Sequence, residues 1–108
     1  MYYELRTYHV MPGKLPALVK RFETVTTHLF EKHGFRQVGY WTTMIGQSNN
    51  DFVYMLAWES LAEREKCFAA FQADPEWISA RTKSEADGTL VASFTNTILA
   101  PTSFSKAK

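Results

Sequence analysis

The sequence predicts an α+β domain: an antiparallel four-stranded sheet with helices on one face, in the order βαββαβ. Two observations carry that prediction. Side-chain character alternates at a period of two in several short segments, the signature of a pleated strand, and switches to three- and four-residue spacing between them. Breaks fall where those periods change, at Pro12-Gly13, Gly34, Gly46 through Asp51, and Asp87-Gly88. A chain of 108 residues is the length of one domain.

Each element follows in turn. Tyr2–Val10 reads as a strand with Tyr2, Glu4, Arg6 and Tyr8 on one face and Tyr3, Leu5, Thr7 and His9 on the other. From Lys14 to His33, Leu15, Leu18, Val19, Phe22, Val25, Leu29 and Phe30 form one helical stripe. Lys20, Arg21, Glu23, Thr24, Thr27, Glu31 and Lys32 fall mostly opposite it. Pro16 is tolerable in the first turn, and Gly34 supplies a left-handed stop. Gln37–Ile45 is rich in β-branched and aromatic residues and reads as the second strand; Phe52–Glu59 returns as the third, making a hairpin.

Ser60-Leu61-Ala62-Glu63 is a capping box, and the helix behind it runs to about Gln72 with Leu61, Phe68 and Phe71 inward. Asp74-Pro75-Glu76 starts a further helix, which carries Trp77 and Ile78 and ends at Asp87-Gly88. Val91–Ala100 is the last strand. Residues 1–101 are expected to form the single domain and 102–108 a loose tail. This order is the split βαβ of a ferredoxin-like sheet, and right-handed crossovers place the first and third strands at its centre.

Composition narrows the function. Twelve Lys plus Arg against eleven Asp plus Glu leave a formal charge of +1, with no basic footprint for nucleic acid. Nothing approaches the ~18 uncharged apolar residues of a membrane helix. The N-terminus has no leader pattern, and the single cysteine, Cys67, has no internal partner, so a cytoplasmic location is expected. Eight Phe, five Tyr and three Trp are a large aromatic load. On the third strand Phe52, Tyr54, Leu56 and Trp58 share one face and Val53, Met55 and Ala57 the other, so both faces ask for cover. Helices cover one; a second copy of the chain is the economical cover for the other, and a homodimer through the open sheet face is expected.

Several stretches also resemble a known family. Tyr3-Glu4-Leu5-Arg6-Thr7-Tyr8 with Pro12-Gly13 is similar to the opening of NIPSNAP proteins. So are Gly39-Tyr40-Trp41 with Gly46, Val53-Tyr54 leading to Trp58-Glu59-Ser60, and Leu61-Ala62-Glu63-Arg64 followed by Asp74-Pro75-Glu76-Trp77. The resemblance spans residues 2–100. It implies a dimeric α+β barrel of ferredoxin-like subunits and no settled reaction. Heme-degrading relatives of that fold use an Asn on the first strand, a Trp ending the third and a His on the next helix. Trp58 matches, but the first strand has no Asn and Lys66–Ala70 no His, which argues against heme degradation.

Glu4, Arg6, Tyr8, Tyr40, Thr42, Tyr54 and Trp58 are the candidate ligand-binding residues, expected to line a cavity between the two sheets of the dimer. Arg6 would supply a forked donor to an acidic or carbonyl group, and the tyrosines hydrogen bonds or a proton relay. The competing reading of Glu4 and Arg6 is an ion pair that fixes strand register or dimer geometry. No cofactor and no metal are expected: His28 and His33 are five apart, off the three- or four-residue spacing of a helical metal pair. Cys67 lacks an activating neighbourhood. Two functions remain from the sequence: a small-molecule pocket for an oxygenated aromatic or acidic compound, with cofactor-independent oxygenase or isomerase chemistry, and a non-catalytic dimeric scaffold.

Overall fold

A computed structural model describes all 108 residues. The order is β1 (Tyr2–Val10), α1 (Leu15–Arg21), a π-helical turn (Phe22–Thr26), α2 (Thr27–Lys32), β2 (Arg36–Thr42), β3 (Asp51–Trp58), α3 (Leu61–Ala73), α4 (Pro75–Ser84) and β4 (Val91–Leu99). The sheet is antiparallel in the order β2-β3-β1-β4, with the first and third strands central as expected. No helix is long and apolar enough to cross a membrane.

The first helix departs from its expected form. Instead of one α-helix it widens at Phe22–Thr26, where the Thr27 N–H bonds the Phe22 carbonyl, five residues back. The widened turn carries Arg21 inward, where it is buried, although α-helical spacing places it opposite the apolar stripe. The helix then ends on Gly34, which takes φ +81°. Phe35 N–H reaches the Phe30 carbonyl at 2.9 Å and Gly34 N–H that of Glu31 at 3.1 Å, the paired bonds of a Schellman stop.

Further boundaries moved. β2 ends at Thr42, not Ile45; Met44 and Ile45 are 92% and 94% exposed in the turn, because β3 offers its last pairing partner at Phe52. Ser60 caps α3 by accepting from the Glu63 N–H, but the Glu63 carboxylate pairs with Arg36 at 2.8 Å rather than completing the capping box. Leu61 is exposed rather than inward. Asp74 caps α4 and also accepts from Lys32 at 2.9 Å and His33 at 2.8 Å, tying the end of α2 to the α3–α4 corner. Those two side-chain bonds hold the Asp74 carboxyl well below the usual carboxylate range.

The core lies between the helices and β3. Leu18, Phe22, Leu29 and Phe30 pack against Phe52, Tyr54, Leu56 and Trp58, all buried. Phe22 and Phe30 stand 5.1 and 6.2 Å from the Tyr54 ring, and Phe68 of α3 stands 5.7 Å from Trp58. The opposite sheet face carries Tyr3, Leu5, Val53 and Met55, half-buried, and Trp41, half exposed. Replacing Gly34 by Ala forces a side chain into a left-handed turn; we expect a loss of about 1 kcal/mol, read as a lower thermal midpoint with unchanged far-UV circular dichroism.

Candidate functional site

Direct partners in an antiparallel pair share a sheet face. Arg6 lies opposite Tyr54, Tyr8 opposite Phe52 and Glu4 opposite Leu56, so Glu4, Arg6 and Tyr8 sit on the face that the helices cover. This corrects the expected location: these residues do not face a second sheet. Alternation identifies which residues share a face, but with both faces apolar it did not identify the face the helices take.

Glu4 is fully buried and accepts five hydrogen bonds: from Arg6 Nη1 at 2.8 Å, Trp58 Nε1 at 2.9 Å, Arg64 Nε and Nη2 at 2.8 and 2.9 Å, and Asn96 Nδ2 at 3.1 Å. Burial alone would push its carboxyl up, but the bonds from Arg64, Arg6 and Trp58 outweigh that and hold it below its ordinary value. Arg64 reaches in from the first turn of α3 to grip Glu4 through Nε and Nη2.

Arg6 is fixed in turn. Its Nε donates to the Tyr54 hydroxyl at 2.6 Å, and Nη2 reaches the Tyr8 hydroxyl at 3.4 Å. The guanidinium carbon lies 5.0 to 5.7 Å from the rings of Phe68, Phe94, Tyr54 and Tyr8, an aromatic cage that favours a cation. Burial disfavours its charge, and the Tyr54 and Tyr8 hydroxyls reverse the balance, so its pKa rises. The Tyr8 and Tyr54 oxygens are 2.9 Å apart. Tyr54 already accepts from Arg6, and its buried proton has one partner within reach, so it donates to Tyr8. The Tyr8 O–H is then left to point elsewhere.

A cavity of about 860 Å³ opens there, between β1, β4 and helices α1, α3 and α4. Arg6, Tyr8 and Tyr54 line it, with Phe22, Phe30 and Phe68 as apolar walls. It reaches the surface beside β4, where Phe94 is 56% exposed because no helix overlies that strand. The other candidates lie outside its wall. Glu4 and Trp58 sit behind Arg6 as supports. Tyr40 stacks on Tyr54, centroids 5.5 Å apart, and gives its proton to Gln37. Thr42 is exposed at the end of β2. The sequence reading missed Arg21, Thr26 and Trp77 in the wall and Asn96 behind it; the alternation of β4, which puts Asn96 across from Arg6, was the available signal for the last.

Burial raises the pKa of both Tyr54 and Tyr40, with Tyr8 adding to the shift. Neither hydroxyl is a base near neutral pH; the wall donates hydrogen bonds and carries positive charge. The structure groups no His, Cys, Asp and Glu cluster able to hold a metal ion. His9 pairs with Asp51 at 2.8 Å, and burial raises the Cys67 thiol.

Comparison with known proteins places this geometry. The NIPSNAP family profile matches residues 3–106. The chain is 30% identical to the human protein NipSnap homolog 3A over 77 residues, a match covering 71% of this chain and 30% of that protein, so the chain spans less than a third of that relative. Among solved structures, protein Atu4242 from Agrobacterium tumefaciens superposes with a TM-score of 0.85 at 34% identity, covering 98% of each chain. A candidate antibiotic biosynthesis monooxygenase from Nitrosomonas europaea superposes with a TM-score of 0.64 at 16% identity over 94% of this chain and 98% of its own, a likeness of fold alone.

Glu4 is the negative centre between Arg6 and Arg64. Glu4→Gln leaves two cations without their counter-charge, and we expect a loss of about 3–5 kcal/mol in chemical denaturation. The pH dependence follows from the lowered pKa. Glu4 contributes its full stability above the unfolded carboxyl value of about 4.3, and the contribution is lost as pH falls through the lower folded value. An acid titration of unfolding free energy is expected to be flatter below about pH 4 in Glu4→Gln than in the parent chain.

Proposed function

The chain belongs to the NIPSNAP family, and from that premise we propose that the cavity beneath its helices binds a small oxygenated molecule, aromatic or acidic, against Tyr8, Tyr54 and Arg6. The observation that carries the reading is a hydroxyl pair held by a buried arginine at the wall of a cavity of about 860 Å³. That volume lies within the range of ordinary ligand sites, about 300–1,000 Å³. Apolar rings surround the polar group, so a flat molecule stacks while one oxygen accepts from Tyr8.

The chemistry this wall supports is stabilisation of negative charge on that oxygen. Arg6 polarises Tyr54, Tyr54 donates to Tyr8, and Tyr8 donates to an enolate or phenolate, a preorganised donor chain at the cavity wall. Cofactor-independent oxygenation or isomerisation of such a substrate would draw on this effect. A tyrosine raised by burial does not abstract the proton itself, so turnover would begin from a substrate that ionises readily. The same absence of a neutral-pH base in the Tyr54 and Tyr40 hydroxyls favours, as the second reading, a pocket that binds without turnover.

The homodimer belongs to this proposal. The open sheet face presents Leu5, Val53 and Met55 at its centre and Trp41 at 50% exposure beside them, an apolar surface suited to a second sheet. We expect light scattering to report a dimer, and Met55→Glu, which puts a charge at the centre of that face, to give a folded monomer.

The ligand reading is tested with 4-nitrophenol, whose phenolate is coloured. Bound against Tyr8 and Arg6, its pKa is expected to fall by about one unit, visible as extra phenolate absorbance at fixed pH. Tyr8→Phe keeps the ring and removes the donor, and is expected to abolish the shift while the thermal midpoint stays within a few degrees. An unchanged spectrum with the parent protein counts against the ligand reading.

A further inference from the structure

We propose that Arg21 and Thr26 form a second polar subsite in this cavity, one that takes the carboxylate of a molecule whose oxygenated ring lies against Tyr8. The inference rests on the ligand reading above and names the class of ligand: an aromatic or enolic compound bearing a separate acidic group.

Thr26 stands on the apolar stripe, four residues from Phe22 and from Phe30, and the π-helical turn brings Arg21 to its side. At about 100° per residue, positions five apart on an α-helix stand about 140° apart. A turn closed by bonds between residues five apart brings such positions toward one side. Arg21 and Thr26 thus both face inward, are 9% and 1% exposed, and line the same cavity as Arg6 and Tyr8.

Each holds a buried polar atom without a partner: Arg21 Nε and the Thr26 hydroxyl. The contrast with neighbouring threonines is direct. Thr24 and Thr27 return their hydroxyls to the carbonyls four residues back, at 2.7 and 3.3 Å. The equivalent carbonyl for Thr26 is that of Phe22, which receives the π-turn bond from Thr27 N–H. Buried donors left unmatched are costly and rare, and both belong to residues that line the cavity, where an acceptor with two oxygens would match them.

The rest of Arg21 is already braced. Its Nη1 donates to Ser84 Oγ at 3.1 Å, and its guanidinium lies 5.0 Å from the Trp77 ring. The neighbouring carboxylate, Glu85, is paired with Arg81 at 3.4 Å, so this end of the cavity keeps one net positive charge. At the other end Glu4 faces both Arg6 and Arg64, which again leaves one. A cavity with excess positive charge at both ends fits a molecule with two electron-rich ends better than a simple phenol.

The test compares two probes on the full chain by titration calorimetry: 4-ethylphenol, and 3-(4-hydroxyphenyl)propionate, which adds a carboxylate on a short arm. The acid is expected to bind at least about tenfold more tightly. Thr26→Val and Arg21→Met should each remove that preference, weakening the acid at least about fivefold more than 4-ethylphenol. Thr26→Val should also raise the thermal midpoint of the free protein, since it deletes an unmatched buried hydroxyl, and it decides the matter if Arg21→Met does not fold. Equal affinity of the two probes for the parent chain, or a preference that survives Thr26→Val, overturns the subsite and leaves the ligand reading standing. Failure of both probes to bind overturns the two together.

Discussion

A single carboxylate organises the molecule. Glu4 is sealed beneath the helices at the middle of the sheet, and side chains from every central part of the fold converge on it: Arg6 of β1, Trp58 of β3, Asn96 of β4 and Arg64 of α3. A buried charge is tolerable only when paired and fully hydrogen-bonded. That requirement fixes the register of three strands and the position of the first turn of α3. The α3 cap at Ser60 directs Arg64 inward, so the local geometry of a helix start becomes part of a buried ion network.

The consequence reaches the cavity. With one face of its guanidinium committed to Glu4, Arg6 can offer only its remaining donors to Tyr54 and Tyr8. Tyr54, fully buried, then has its proton direction decided for it, and the Tyr8 hydroxyl is the one left free to turn toward the cavity. Positioning has been transferred outward in steps, from a dry ion pair to a hydroxyl at a wall. Tyr40 and Phe22 both pack against the Tyr54 ring, whose oxygen lies 2.9 Å from that of Tyr8.

Much of this was legible in the residues. The period of two on β1 put Glu4, Arg6 and Tyr8 together, the same period on β3 grouped Tyr54 with Trp58, and the element order placed these strands side by side. The face was not legible. Val53, Met55 and Ala57 are as apolar as the residues between them, so pattern alone left the helices free to choose either side; packing chose the side with the larger rings, which fill the space under Phe22 and Phe30. Arg21 and Thr26 were hidden for another reason. Arg21 turns inward through one widened turn that leaves no mark in the apolar stripe from Leu15 to Phe30, and Thr26, on that stripe four residues from Phe22 and from Phe30, reads as ordinary packing.

The network is better understood as an orienting device than as a source of stability. Replacing buried ion pairs with well-packed apolar residues is frequently neutral or stabilising, so stability alone gives little reason to keep a carboxylate among two arginines, an indole and an amide. What apolar packing cannot do is hold a hydroxyl proton in a chosen direction before a ligand arrives. Catalysis and tight recognition both gain from donors that need no reorganisation at the moment of use. The cost is concentrated in a layer that solvent does not reach, while the wall beside β4 is exposed. Arg21 and Thr26 follow the opposite logic at the far end, since their donors remain unmatched in the free protein. One end of the cavity is therefore preassembled and satisfied, and the other keeps two buried donors without partners.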